Sequence, residues 1–93
     1  DLWLRNAGHA NAMARRLEDA VRDIEGVRLT TPAQANAVFP ILDAEVADRL
    51  AARFRFYPWD EALGQYRWMC AWDTTEADVD AFVTALREEL ARS

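Results

Sequence analysis

The sequence has no lysine at all: its eleven basic residues are every one arginine. No Schiff base to a lysine amine can therefore form within these residues. A single cysteine, Cys70, excludes an internal disulfide and fits a reducing compartment. The single histidine, His9, leaves too few soft ligands for a metal site. Only three glycines and three prolines interrupt the chain, so low-complexity and linker-like segments are missing as well. The longest apolar run, Trp68 to Trp72, is far shorter than the ~20 residues that span a bilayer, and the expectation is a soluble, cytoplasmic protein. The net charge is -5, with the arginines scattered instead of gathered in a stripe, which argues against nucleic acid.

What is present points to one folded domain covering residues 1–93. Fifty-two per cent of the residues are hydrophobic, and four tryptophans supply large apolar surface. The first residues, Asp1-Leu2-Trp3-Leu4, lie within a helical pattern and include no initiator methionine. The expectation from this is a piece of a longer protein.

Met13, Leu17, Val21 and Ile24 recur at helical spacing, with Leu4, Ala7, Ala10 and Ala14 able to extend the stripe, and Gly26 is placed to end that helix. Val27 to Thr30 reads as a short strand, and Asn36 to Leu42 as a second. Asp43 is a candidate N-cap for a short helix bearing Val46, Ala47, Leu50 and Ala51. Two further strands, Phe54 to Trp59 and Gln65 to Trp72, are separated by a turn containing Gly64, and Pro58 places the first near a sheet edge. Thr75 and Asp78 have capping-box spacing ahead of a helix with Val79, Phe82, Val83, Leu86 and Leu90 on one stripe. The predicted order is α-β-β-α-β-β-α. The fold class is α+β, a small, mainly antiparallel sheet with helices on one face.

In the strand from Gln65, alternation puts Tyr66, Trp68, Cys70 and Trp72 on a core face and Arg67, Met69, Ala71 and Asp73 on the other. An arginine in such a segment must stay hydrated, pair with a carboxylate of its own domain, or wait for an anionic ligand. The pattern leaves all three open for Arg67. Cys70, on the core face, reads as a packed thiol and not as the partner of His9. The aromatic group Phe54, Phe56, Tyr57, Trp59, Tyr66, Trp68 and Trp72 reads as core, Asp60 and Glu61 as solvated turn charges, and Asn36 as a strand-edge or turn residue.

The stretches "NAGHANAMARRLEDAV", "ANAVFPIL" and "FYPWDEALGQYRWMCAWDTTEADVDAFVTAL" together resemble the C-terminal part of low-specificity L-threonine aldolases, pyridoxal-phosphate lyases of the aspartate aminotransferase fold type. The likeness covers nearly the whole chain. It implies the C-terminal small domain of a longer enzyme that cleaves L-threonine and related β-hydroxy-α-amino acids to glycine and an aldehyde. Arg67 in "YRWMCAW" stands where such enzymes carry the arginine that binds the substrate's α-carboxylate. Where many members read Arg-x-Val-Thr, this chain reads Arg67-Trp68-Met69-Cys70. The resemblance also implies that pyridoxal phosphate is held mainly by the large domain of the same chain, that the parent is a homodimer or homotetramer, and that these residues alone are catalytically silent. Trp59 and Tyr57 would lie towards the active-site mouth. Two other readings stand beside it: a stand-alone module that binds a small molecule or a protein, and the small domain of another pyridoxal-phosphate lyase or aminotransferase, because an arginine clamp serves any α-amino acid.

Overall fold

The computed structural model describes residues 1–92. It opens with helix α1, Leu2–Val21, whose N-cap Asp1 accepts from the Trp3 and Leu4 backbone N–H groups. Ala10, Met13, Ala14, Leu17 and Val21 are its buried face, as the periodicity predicts, while Leu2, Trp3 and Leu4 stay exposed. The helix ends earlier than Gly26. Successive turns, Ile24 N–H to Val21 O and Val27 N–H to Ile24 O, carry the chain away while keeping Ile24 in the core. Gly26 serves that exit with φ of 96°, a left-handed conformation that side chains strain to adopt.

Five short strands follow: β1 (Arg28–Leu29), β2 (Ala37–Val38), β3 (Pro40–Ile41), β4 (Tyr57–Asp60) and β5 (Gln65–Met69). All pairings are antiparallel: β1 with β3, and β2, β3 and β4 each with β5. The pairs Ala37–Met69, Val38–Trp68 and Ile41–Gln65 share one register. So do the flanking hydrogen bonds from Cys70 N–H to Asn36 O and from Leu42 N–H to Gly64 O. The expected strand Asn36 to Leu42 is thus one run along β5, interrupted at Phe39 ahead of Pro40, which has no N–H to donate. Counting it once restores the predicted order.

Helix α2 (Ala44–Arg53) is capped by Asp43, which accepts from Glu45 and Val46. Helix α3 (Glu76–Ala91) carries the full capping box, with Asp78 N–H to Thr75 Oγ1 at 3.0 Å and Thr75 N–H to Asp78 Oδ2 at 2.9 Å. The three helices cover one face of the sheet. Val38, Trp68 and Cys70 meet Leu17 and Val21 of α1, Val46 and Leu50 of α2, and Val79 and Leu86 of α3 in a single core. Leu50 and Leu86 are completely buried, and each contributes about 1.5–3 kcal/mol by leaving water.

Three expectations need correction. The strand expected from Phe54 begins only at Tyr57: Phe54 is the C-cap of α2, and it turns with Phe56 towards the core. The strand expected to run to Trp72 ends at Met69. Beyond Cys70 the chain turns, with Thr74 N–H to Ala71 O and Ala71 N–H to Thr74 Oγ1, and this takes Trp72 out of the alternation and leaves it exposed. The aromatic group therefore divides. Phe56, Trp68 and Phe82 pack edge to face in the core, whereas Tyr57, Trp59 and Trp72 are exposed.

Candidate functional site

Arg67 sits at the middle of β5, paired with Tyr57 of β4 across the ladder. Its neighbours in the alternation decide its direction. Trp68 and Cys70 are buried under the helices and Met69 is exposed, so Arg67 shares the outer face with Met69. The side chain is partly buried.

Among the described residues, Arg67 makes no ion pair. The arginines that do are Arg16, Arg22, Arg49, Arg53 and Arg92, all on helices or at their ends. The guanidinium carbon of Arg67 instead lies over the ring of Trp59, 4.9 Å from its centroid. Trp59 in turn meets Phe39 at 5.4 Å between ring centroids, tilted by 56°. Phe39, Trp59 and Arg67 form a contiguous stack on the face that the helices leave open.

The placing of Trp59 has a local cause. Pro58 pairs with Tyr66 but Asp60 pairs with Gln65, so β4 accommodates one extra residue, Trp59, at a shift of register. A short 3-10 helix, Glu61–Leu63, follows directly; the Asp60 side chain accepts from Leu63 N–H, and Gly64 closes it at φ 67°. Asp60 is thus a capping residue and Glu61 an exposed turn residue. The sequence could show Pro58 and Gly64 as turn signals, but the shift that re-aims Trp59 depends on pairing with β5, which is not local.

The remaining candidates have structural duties. Cys70 is buried, and burial pushes its thiol pKa up, the reverse of what a nucleophile needs. His9 does not approach a thiol partner role: its Nε2 donates to the Thr74 carbonyl, linking α1 to the loop before α3. Asn36 donates from Nδ2 to the Cys70 carbonyl at 2.8 Å and closes the end of the ladder, as expected of a strand-edge residue. An apolar cleft of about 320 Å³, bordered by Phe56, Trp68, Cys70 and Phe82, does not include Arg67. Among the described residues no group of histidine, cysteine or carboxylate side chains is placed to hold a metal, and no helix is long and apolar enough to cross a membrane.

With no lysine in it, the chain offers no side-chain amine for a Schiff base. What the outer face offers is one free, positively charged fork on an aromatic bed. Such a group suits an anion with two oxygens to offer, a carboxylate or a phosphate.

No protein-family model matches the chain. It is 47% identical over 75 residues to a low specificity L-threonine aldolase of Pseudomonas aeruginosa, a match covering 80% of this chain and 21% of that protein. It is 41% identical over 86 residues to the enzyme of the same name from a Pseudomonas species, covering 91% and 25% respectively. Among solved structures it is similar to the threonine aldolase of Leishmania major, with a TM-score of 0.70, 30% identity, and coverage of 86% of this chain and 24% of that one. An aminotransferase from Streptoalloteichus hindustanus has the same TM-score of 0.70 at 16% identity, covering 92% of this chain and 32% of that one, which shows a shared fold. The chain is homologous to one part of the low specificity L-threonine aldolases, and spans about a fifth to a quarter of the length of the curated relatives it matches.

Proposed function

We propose that these residues are the C-terminal small domain of a pyridoxal-phosphate-dependent threonine aldolase, and that Arg67 binds the α-carboxylate of the amino-acid substrate. The observation that carries this reading is the state of Arg67: partly buried, on the face the helices leave open, and in no ion pair with a carboxylate of the described residues. The sequence identity of 41–47% to proteins named for that activity favours aldol cleavage over transamination, for which only a structural neighbour of 16% identity speaks.

The parent protein would cleave L-threonine and related β-hydroxy-α-amino acids to glycine and an aldehyde. The cofactor belongs to the large domain of the same chain, since the lysine that must carry it is missing here. No reaction step is assigned to these residues beyond holding substrate. Two N–H groups of a guanidinium grip both carboxylate oxygens at once, which fixes rotation of the amino acid about its Cα as well as its position.

The apolar side chains beside Arg67 support a covering domain. Tyr57, Trp59 and Met69 each leave more than half their surface open. Against the rest of the chain, that surface would leave water. The parent would work in the cytoplasm as a homodimer or homotetramer.

The test is the full-length protein supplied with L-threonine. Release of glycine and acetaldehyde, absent from the 93-residue chain alone, is the expected result. A full-length protein that transaminates L-threonine without releasing acetaldehyde would overturn the reading.

A further inference from the structure

We propose that Trp59 is a positioning residue for Arg67, holding the guanidinium in place for the substrate carboxylate; this rests on the carboxylate role of Arg67. An arginine side chain has many rotamers, and one that must meet a small anion in a fixed geometry needs a restraint that does not occupy its donors. A carboxylate partner would restrain it by consuming the N–H fork. An aromatic ring beneath the guanidinium carbon attracts the cation through its π face and leaves the N–H groups free.

That is the arrangement found, with the Arg67 carbon 4.9 Å from the Trp59 centroid and no ion pair to Arg67 among the described residues. The ring is itself restrained. Phe39, buried although it belongs to the outer face, supports Trp59 at 5.4 Å. The register shift between Pro58 and Asp60, followed at once by the turn that Asp60 caps, sets where the tryptophan stands. Phe39, Trp59 and Arg67 thus come from three neighbouring segments of the sheet and act in series.

Calorimetric titration of the full-length protein with glycine measures this directly, because glycine is little more than an amine joined to the carboxylate that Arg67 would grip. Trp59→Ala is expected to weaken glycine binding by about threefold to thirtyfold, the span of an exposed to a desolvated cation–π contact. Trp59→Phe keeps a π face and recovers most of the affinity, whereas Trp59→Leu keeps apolar bulk alone and does not. In an Arg67→Ala background the Trp59→Ala change has no further effect. Full recovery by Trp59→Leu, an unchanged affinity in Trp59→Ala, or an undiminished Trp59→Ala effect without Arg67 would each overturn the role of Trp59 while leaving Arg67 as carboxylate ligand. Undiminished glycine binding in Arg67→Ala would overturn both assignments. Trp59 is more than half exposed, so these variants keep the core, and their thermal midpoints verify it.

Discussion

Arg49 of α2 grips Glu89 of α3 twice, through Nε to the carboxylate at 3.0 Å and through Nη2 to the backbone carbonyl at 3.0 Å. Arg53 and Arg92 reach the same carboxylate, each at 3.1 Å. Glu89 is 3% exposed, a setting that would be costly for an unpaired charge. Burial works against its ionised form, but the hydrogen bonds from Arg53 and Arg49, with the charges of Arg92 and Arg49, outweigh it, and the carboxyl pKa is lowered.

A carboxylate whose pKa is depressed by folding stabilises the fold fully above its unfolded value, near 4.5, and loses that contribution as pH falls through the lower folded value. Glu89→Gln should therefore be less stable than the parent sequence at neutral pH, with the gap narrowing in acid. Urea unfolding at a series of pH values checks this. A gap that stays constant into acid would show that the charge of Glu89 contributes nothing.

Arg67→Ala in the full-length enzyme should lower kcat/KM for L-threonine by about tenfold to a few hundredfold, the loss of a charge-assisted, two-point hydrogen bond. Arg67→Lys should restore little, because a point charge cannot reproduce the planar fork. Steady-state kinetics at several threonine concentrations separate the effect on KM from that on kcat. Unchanged kcat/KM in the alanine variant would remove Arg67 from the site.

Gly26 offers a test of the exit from α1. At φ 96° an added Cβ is strained, and it would stand 2.9 Å from Leu90 Cδ2, a flexible tip that can yield. The cost of Gly26→Ala then comes mainly from the backbone, at about 1–2 kcal/mol. Thermal denaturation should show a lower midpoint. An unchanged midpoint would mean that the turn relaxes to negative φ.

These features were unequally legible in the sequence. The starts of α2 and α3 could be read because their caps are local: Asp43 and the Thr75–Asp78 pair satisfy N–H groups two or three residues away. The run Asn36 to Leu42 was legible as a strand, and its single register along β5 agrees with that reading. The outward direction of Arg67 followed from period-two alternation. The end of α1 did not, since Ile24 is buried whether or not the helix reaches it. Nor did the stacking of Trp59 under Arg67, because it depends on a register shift between strands that composition cannot show. Trp72 departs from its expected face for a related reason: apolar alternation continues past Met69, but the Ala71–Thr74 turn interrupts it.

Cys70 gives a test that needs no enzyme assay, because it is the one thiol in the 93 residues. Its position on the core side of β5 beside Trp68, at 5% exposure, both blocks access and raises its pKa by burial. Each unit by which a pKa rises cuts the thiolate fraction about tenfold at a pH below it, and only the thiolate attacks a disulfide reagent. The folded chain should therefore react more slowly than the same chain in denaturant. The rate should rise with pH over a more alkaline range than for a free cysteine. Equal rates in the folded and unfolded states would place Cys70 at the surface and contradict its burial on the core side.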